Sequence, residues 1–416
     1  MKIKVLVIGS GGREHALVWK LKQSDCIVYC APGNGGISDI AQCVPISVDD
    51  IIGLRKFAQK KKIDLTIVGP EVPLGLGIVD EFTKYGLKIF GPNQKAAQLE
   101  TSKAFAKKFC QKYGLPTPDF GIFNNSSLAK KYIAKKKLPL VIKVDGLAAG
   151  KGAIIAKKRE DAESIIERIL EKREFGPAGE KIVIEDYIYG QEVSMLAITD
   201  ADTIIPLIPA RDHKPLLNGN KGPNTGGMGS YAPIPELDQN WLNKFMTKLF
   251  APLLTALKKE NIEYKGVVYA GLILSGEKFY ILEFNCRWGD PEAEVLLPLL
   301  KNDLVSLCFQ TIEGTLTNLE WHKKFALTVI AASAGYPGHY EKGKLISGDL
   351  QNREDVIIFH CGTKKDNNRY YTNGGRVLAV TGIGKTLTEA RDKSYQALKN
   401  IKFDGIYYRI DIGEVK

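Results

Sequence analysis

Residues 2–12 read KIKVLVIGSGG, an apolar run that ends in a group of glycines. The run predicts a buried strand, the glycines predict a tight turn, and Glu14–Lys22 predict a helix. Further strands are predicted at 27–30, 65–68 and 87–90, with helical stretches between them. Because strands that alternate with helices form a parallel sheet covered on both faces, residues 1–101 are expected to fold as a doubly wound α/β domain.

The pattern changes after Thr101, and a second domain is expected over residues 102–322. Its predicted elements are a helix to Tyr113, strands at 140–144, 153–156 and 181–185, a glycine-rich loop at 222–229, a helix at 241–259, and strands at 267–274 and 279–284. Residues from about 122 to 190 are rich in predicted strands and form a candidate lid subdomain.

A small α+β domain is expected at 323–416. Strands are predicted near 326–332 and 356–360, and Asn373-Gly374 predicts a hairpin turn. Thr386 and Glu389 have the spacing of a capping box, which predicts the start of the last helix.

The composition indicates a soluble globular protein, since 44% of the 416 residues are hydrophobic and 25% are charged. The net charge of +11 raises the alternative of a nucleic-acid-binding protein. The lysine runs at 60–62 and 135–137 lie where helices are expected to end, however, and no aromatic residues are interleaved with them. We therefore expect small-molecule substrates and no nucleic-acid partner.

No segment has the roughly 18 apolar residues of a membrane helix, so no membrane partner is expected. The seven cysteines form no C-x-x-C pair and no zinc-site spacing. This pattern is typical of reduced thiols and predicts a cytoplasmic protein. A monomer is expected, with a dimer as the alternative.

The first glycine turn superficially matches the fingerprint of a dinucleotide-binding fold. Glu14 replaces the third glycine of G-x-G-x-x-G, and the second strand ends without an acid for the ribose hydroxyls. These departures disfavour an NAD-dependent oxidoreductase. Gly11, Gly12 and Arg13 lie at a helix N-terminus and are expected to bind a phosphate group, with a structural turn as the alternative.

The second glycine-rich loop, KVDGLAAGKG at 143–152, fails as a P-loop. Asp145 stands where the first glycine belongs, and Gly152 follows Lys151 where Ser or Thr would ligate magnesium. The loop also lies between two predicted strands. We interpret it as a mobile lid over a triphosphate with a lysine on each side, and a plain glycine hairpin is the alternative.

A loop without a magnesium ligand requires oxygen donors from elsewhere in the chain. Glu283 and Asn285 are candidates, because positions i and i+2 of a strand point to the same side while Phe284 packs into the core. A single carboxylate with an amide suits a magnesium ion that nucleotide phosphates also ligate. A chance pair at a strand end is the alternative.

Charged residues flank this pair in the sequence. Arg287 follows it in a turn with Asp290 and could clamp a carboxylate through two hydrogen bonds. Asp212 and Lys214 precede the loop at 222–229, whose glycines offer backbone N–H groups to an anion. A disordered surface loop is the alternative for that segment.

Together these motifs resemble the phosphoribosylamine–glycine ligases, also called glycinamide ribonucleotide synthetases, of the ATP-grasp superfamily. The resemblance extends from Val5 to Ile412. It rests on VIGSGGREHA at 7–16, APGN at 31–34, VGPE at 68–71, KVDGLAAGKG at 143–152, DHK at 212–214, GPNTGGMG at 222–229, EFNCRWGDPE at 283–292 and TNGGRV at 372–377.

The resemblance implies a central ATP-grasp domain and the synthesis of glycinamide ribonucleotide from 5-phosphoribosylamine, glycine and ATP, through glycyl phosphate. The implied ATP-binding residues are Lys103, Lys143, Gly146, Gly150, Lys151, Gly152, Glu185, Tyr187, Ile188 and Glu192. Glu283 and Asn285 would hold Mg²⁺ or Mn²⁺. The implied catalytic residues are Arg287, Asp212 and Lys214. The implied substrate-binding residues are Gly11, Gly12, Arg13, Asn34, Glu71, Asn224, Thr225, Gly226, Gly227 and Asp290.

Three residues, Pro215, Trp288 and Glu294, depart from the usual family pattern and put local substrate contacts in question. Another ATP-grasp ligase or carboxylase of purine metabolism is the alternative within the ligases. It would keep the lid and the metal pair and differ in the loops that bind the acceptor.

Overall fold

The computed structural model describes residues 2–148 and 152–414. The N-terminal part has one parallel sheet of five strands in the order β3-β2-β1-β4-β5. Its strands are β1 (Ile3–Gly9), β2 (Cys26–Pro32), β3 (Gln42–Cys43), β4 (Leu65–Val68) and β5 (Ile89–Phe90), and its helices are α1 (Gly12–Leu21), α2 (Ile51–Lys61), α3 (Glu71–Gly75), α4 (Ile78–Lys84) and α5 (Gln94–Thr101). The predicted doubly wound α/β architecture is confirmed.

The segment predicted to form a lid contains an antiparallel sheet of four strands, in the order β6-β9-β7-β8, covered by two helices. After α6 (Lys103–Tyr113), the chain forms β6 (Phe120–Phe123), α7 (Ser126–Ala134), β7 (Leu140–Val144), β8 (Ala153–Ala156), α8 (Arg159–Ile166) and β9 (Ile182–Asp186). Apolar side chains between Ala129 and Ile184 form a hydrophobic core separate from the rest of the molecule. The 143–152 loop joins β7 to β8, as the sequence predicts.

A second antiparallel sheet has the order β11-β10-β16-β17. Residues of this sheet and of the first antiparallel sheet line a common cleft. The elements of this region are β10 (Gln191–Asp200), β11 (Ile204–Pro206), β12 (Arg211–Asp212), β13 (Pro215–Leu217), β14 (Lys221–Asn224), β15 (Gly229–Ala232), α9 (Gln239–Phe245), α10 (Ala251–Lys259), β16 (Lys265–Ser275), β17 (Lys278–Asn285), α11 (Ala293–Leu299) and α12 (Leu304–Glu313). The loop predicted at 222–229 therefore begins as one strand of a hairpin, because β13 pairs with β14.

The C-terminal part shares a sheet with the central part. The order β12-β15-β18-β23-β20 joins strands from both sides of residue 322. The elements here are β18 (Phe325–Ala332), β19 (Leu345–Gly348), β20 (Val356–His360), β21 (Thr363–Asp366), β22 (Arg369–Thr372), β23 (Arg376–Gly384), α13 (Leu387–Leu398) and β24 (Ile401–Lys402). The shared sheet holds the segment around Asp212 against the C-terminal part.

One local prediction is wrong. The hairpin predicted at Asn373-Gly374 turns instead at Asn367-Asn368, where both residues have positive φ and join β21 to β22. Glycine at position 374 lets the backbone pass close to Gly362, because a side chain there would clash with the Gly362 backbone. The helix predicted between Thr101 and Tyr113 is present as α6, which begins at Lys103 because the Ser102 side chain caps its N-terminus.

Candidate active site

A cavity of about 410 Å³ lies where the three parts of the chain meet. Its polar lining includes Arg13, Glu71, Glu100, Lys103, Lys107, Asp212, Lys214, Glu283, Asn285, Arg287, Asp290, Glu292 and Arg376. A larger cleft of about 2490 Å³ runs beside it along the lid and contains Lys143, Glu185, Tyr187, Ile188 and Glu192. Five of the predicted nucleotide residues thus line the wide cleft, whereas Lys103 and Gly152 line the smaller cavity together with most of the predicted acceptor residues.

On the nucleotide side, two lysines flank one buried carboxylate. Lys143 Nζ on β7 lies 2.9 Å from Glu185 Oε1, and Lys107 Nζ on α6 lies 3.0 Å from Glu185 Oε2. Burial lowers the pKa of Lys107 to about 8, although Glu185 opposes the shift. The Glu185 carboxylate therefore orders the two lysine side chains.

The beginning of the lid loop is tied to the N-terminus of α6. Asp145 Oδ1 accepts hydrogen bonds from Ala104 N at 2.7 Å and Ser102 Oγ at 2.9 Å. Lys103 extends from this turn into the cavity. Gly146 and Gly152 lie in the described part of the loop, whereas Gly150 and Lys151 lie outside the described residues. Lys103 and the loop therefore share one local scaffold.

Glu283 and Asn285 lie at the end of β17, and both line the cavity. Glu283 Oε1 is 3.1 Å from Lys214 Nζ, and this ammonium group holds the pKa of Glu283 below its usual range. Asn285 Oδ1 accepts a hydrogen bond from Arg287 Nη2 at 3.0 Å. Phe284, between them, is buried as predicted.

These two oxygen donors fit a divalent ion that phosphate oxygens also ligate, because magnesium is commonly held by one or two carboxylates together with substrate phosphates. Within residues 2–148 and 152–414, no group of three or more His, Cys, Asp or Glu side chains could hold a metal by itself.

Arg287 connects the metal pair to the N-terminal part. Its guanidinium contacts Glu71 at 3.3 Å and Glu100 at 3.1 Å. Burial alone would raise the pKa of Glu71, but the guanidinium groups of Arg287 and Arg13 outweigh it and lower the pKa. Burial raises the pKa of Glu100, against the effect of Arg287. Glu100 is a site residue that the sequence analysis missed, because helix α5 carries no motif.

The predicted glycine-rich loop closes over the cavity with help from the C-terminal part. Gly226 N donates to the hydroxyl of Tyr336 at 2.9 Å. Arg376 donates to Gly226 O at 2.6 Å and lies 2.8 Å from Asp290 Oδ1. Arg376 and Tyr336 were both missed as site residues, although Arg376 belongs to the TNGGRV motif at 372–377.

Three charged groups that line the cavity make no close ion pair with the described residues. Among the described lining residues, the acids Asp212 and Glu292 and the cation Lys103 make no ion pair within 4 Å, whereas the other charged side chains do. Ser194 and Tyr269 each donate to Glu292 Oε1 at 2.7 Å. Burial and then the nearby Glu292 raise the pKa of Asp212 well above its usual range. The cavity can therefore accept a cationic group at the acids and an anionic group at Lys103.

The glycine turn after β1 is already occupied by protein groups. Gly11 N donates to Glu14 Oε2 at 2.6 Å, and Arg13 donates to Glu14 Oε1 at 2.6 Å and to Trp288 O at 3.2 Å. The Asn34 amide donates to His360 O at 2.7 Å and accepts from two backbone N–H groups. Arg13 still lines the cavity, whereas Asn34 links the N-terminal and C-terminal parts.

Comparison with known proteins agrees with this geometry. Sequence models of the phosphoribosylglycinamide synthetase N domain, ATP-grasp (A) domain and C domain match residues 3–100, 101–293 and 326–415. The chain belongs to the phosphoribosylglycinamide synthetase family. The resemblance inferred from the motifs is confirmed, and the chain is an ATP-dependent ligase with the ATP-grasp fold.

Relatives match along nearly the whole chain. A phosphoribosylamine–glycine ligase from Caldanaerobacter subterraneus subsp. tengcongensis is 48% identical over 414 residues, which cover 99% of each protein. The crystal structure of phosphoribosylamine–glycine ligase from Thermotoga maritima superposes with a TM-score of 0.87 at 33% identity and covers 99% of this chain and 100% of that one.

A biotin carboxylase domain from Hydrogenobacter thermophilus superposes with a TM-score of 0.76 at 15% identity, covering 98% of this chain and 92% of that chain. That likeness concerns the fold alone. No helix in the part of the chain that the structure describes is long and apolar enough to cross a bilayer.

Proposed function

We propose that this ligase joins glycine to 5-phosphoribosylamine with ATP, giving glycinamide ribonucleotide, ADP and phosphate through glycyl phosphate. The observation that carries the proposal is the arrangement of unpaired charges in the cavity. Lys103 borders the cavity with Glu283 and Asn285, while Asp212 and Glu292 are two neighbouring acids whose mutual repulsion an ammonium group would relieve. A phosphate group and the ammonium group of an amino acid match these two places.

In the first step, a carboxylate oxygen of glycine attacks the γ-phosphorus of ATP and ADP leaves. We assign Lys103 and Lys143 to neutralising the phosphates and Arg287 to orienting the carboxylate, because these cations line the cleft and the cavity. A divalent ion held by Glu283 and Asn285, Mg²⁺ or Mn²⁺, would offset the charge that develops on the phosphate oxygens. Gly146 and Gly152 belong to the loop that would exclude water from the acyl phosphate.

In the second step, the amine of phosphoribosylamine attacks the acyl carbon, and phosphate leaves with one oxygen that came from glycine. The amine loses a proton as the amide forms. Asp212 is suited to accept this proton, because burial and the nearby Glu292 raise the pKa of its carboxylate. We assign the acyl phosphate to the loop residues Asn224, Thr225, Gly226 and Gly227, of which the first three line the cavity. Arg13, Glu71 and Asp290 also line it and are assigned to the phosphoribosyl group. Gly11, Gly12 and Asn34 do not line the cavity, and we assign them to shaping the turn beside that group, because Gly11 N and the Asn34 amide donate within the protein.

We propose further contacts for the adenine and ribose of ATP. Tyr187 and Ile188 follow β9 and line the wide cleft, which suits an adenine ring against their side chains. Glu192 lies 3.8 Å from Lys214 and is about half exposed, so its carboxylate is available to ribose hydroxyls. We propose that the chain has three domains, formed by residues 1–101, 102–322 and 323–416.

We also propose a cytoplasmic enzyme that acts as a monomer on small molecules only. The support is the absence of C-x-x-C or zinc spacing among its seven cysteines, which suits a reducing compartment. Sedimentation of the purified protein tests the assembly, and a dimer mass at assay concentration would replace the monomer.

The reaction is tested by ADP release with glycine, freshly generated phosphoribosylamine and ATP, with each omitted in turn. The proposal requires that full turnover depend on both glycine and phosphoribosylamine, and that the product have the mass of glycinamide ribonucleotide. Turnover that continues without either substrate, or a carboxylated product with bicarbonate, would overturn it.

A further inference from the structure

A hairpin lies between two predicted parts of the active site. Strands β13 and β14 form a two-stranded sheet of their own, and every residue of β14 is exposed. Lys214 precedes the hairpin and Thr225 follows it. Thr225 closes its base, because its N and Oγ1 both donate to Lys214 O, at 2.9 and 2.7 Å. The position of Lys214, and of the loop over the cavity, is therefore coupled to this hairpin.

An isolated two-stranded hairpin is marginally stable in water, so its orientation depends on contacts with the rest of the protein. The main polar contacts come from the C-terminal segment 407–411. Arg409 donates to Pro215 O at 2.9 Å and to Asn220 Oδ1 at 3.0 Å. Asp411 Oδ2 accepts from Gly219 N at 2.7 Å. Both the first strand and the turn of the hairpin are thus held by one segment.

Arg409 is the centre of these contacts. Its side chain is only 1% exposed, and Asp411 accepts two of its hydrogen bonds, at 2.8 and 2.7 Å. The planar guanidinium group can serve the hairpin and Asp411 simultaneously, which a lysine ammonium group cannot do with the same geometry.

The segment is itself firmly attached to the C-terminal part. Tyr407 exchanges two backbone hydrogen bonds with Ala332 of β18, at 2.9 and 2.7 Å. The hydroxyl of Tyr395 on α13 donates to Arg409 O at 2.8 Å and accepts from Ile412 N at 3.1 Å. The C-terminal part is thus rigidly linked through Arg409 to the hairpin that precedes the cavity loop.

We infer that Arg409 is a positioning residue for the ligation reaction, acting through the hairpin on Lys214 and on the loop at 225–227. Arg409 is not among the residues that line the 410 Å³ cavity, and it borders the wide cleft only at the end where the hairpin lies. The inference rests on the proposed function, in which Lys214 and this loop border the reacting groups. A misplacement of about 1 Å by a remote substitution can lower a rate about 100-fold, so loss of the guanidinium should reduce kcat strongly.

The experiment compares Arg409→Met with Arg391→Met in the full-length protein. Arg391 is a matched control, because it also donates to the C-terminal segment, to Ile410 O at 2.7 Å and Ile412 O at 3.1 Å, and none of its hydrogen bonds to the described residues reaches the hairpin itself. Steady-state kinetics with ATP, glycine and phosphoribosylamine, and hydrogen exchange of residues 215–225, are measured for both. Wild-type turnover is measured first and tests the proposed function separately.

The expected result is that Arg409→Met lowers kcat about 10- to 100-fold, leaves the KM for ATP within about twofold, and speeds exchange in the hairpin. Arg409→Lys should recover only part of kcat. The inference is wrong if the wild type is active and the kcat of Arg409→Met is within twofold of that of Arg391→Met.

A second variant keeps the test decisive if Arg409→Met does not fold. Asn220→Gly removes the acceptor of the Arg409 hydrogen bond while keeping a residue suited to the positive φ of 56°. Asn368→Gly is its control, since Asn368 has a φ of 60° in the β21–β22 turn. A lower kcat for Asn220→Gly alone supports the inference, and equal kcat values for the two variants contradict it.

Discussion

Replacement of Glu283 by glutamine separates the catalytic contribution of this side chain from its contribution to stability. The amide has the same shape and can still accept a hydrogen bond from Lys214 Nζ, which lies 3.1 Å from Glu283 Oε1. Both side chains of the ion pair are a quarter to a third exposed, so solvent screens their attraction. The free energy of unfolding should therefore fall by only about 1 kcal/mol.

The effect on turnover should be much larger. Glu283 is the only carboxylate of the proposed metal pair, and a metal ion contributes several kcal/mol of transition-state stabilisation in reactions of this kind. A loss of about 4 kcal/mol corresponds to a roughly 1,000-fold lower kcat. The magnesium concentration that gives half of the maximal rate should also rise.

The assay is ADP release at saturating ATP, glycine and phosphoribosylamine over a range of Mg²⁺ concentrations, with urea denaturation as the stability measurement. Glu277→Gln is the control, because Glu277 is an exposed acid in the turn between β16 and β17. A folded Glu283→Gln protein with a kcat within tenfold of the control would refute the metal site.

Three further predictions concern the surroundings of the site. Glu185→Gln should lower the free energy of unfolding by about 3–5 kcal/mol in urea denaturation, because it leaves the buried Lys143 and Lys107 without their shared carboxylate; a loss below 1 kcal/mol would contradict the arrangement. Burial lowers the pKa of Lys107 to about 8, from 10.5 in the unfolded chain, so the unfolded state binds more protons between pH 8 and 10.5. The free energy of unfolding of the wild type should therefore rise with pH in this range relative to that of Lys107→Met. Parallel curves of unfolding free energy against pH would show that the pKa of Lys107 is not lowered. Gly227→Ala should lower the free energy of unfolding by about 1–3 kcal/mol and reduce kcat, since φ is +106° and the added Cβ would clash with neighbouring side chains. Gly276→Ala, at φ +59° with open space around it, is the control and should keep its kcat.

The parts of the fold that depend on local patterns were predictable from the sequence. The apolar run and the glycine turn at 2–12 predict β1 and the start of α1, because burial and turn formation involve neighbouring residues. The loop at 143–152 was placed correctly between two strands for the same reason. The hairpin turn predicted at Asn373-Gly374 is wrong, because the close approach of Gly374 to Gly362 overrides the local preference of these two residues for a turn.

The site was predictable only where its residues lie in a motif. Glu283, Asn285 and Arg287 are close in sequence, and the structure keeps them together around one cavity. Arg376 instead reaches Gly226 across a separation of 150 residues. Such long-range contacts depend on how the shared sheet joins the central and C-terminal parts, which no local pattern reports.

The most direct test of the proposed reaction follows oxygen atoms. Glycine labelled with ¹⁸O in its carboxylate is converted with ATP and phosphoribosylamine, and the released phosphate is analysed by mass spectrometry. Attack of the carboxylate on the γ-phosphorus predicts that each phosphate carries one ¹⁸O atom and that the amide product keeps the other. Unlabelled phosphate formed together with glycinamide ribonucleotide would show that no acyl phosphate is made, and would contradict the proposed mechanism.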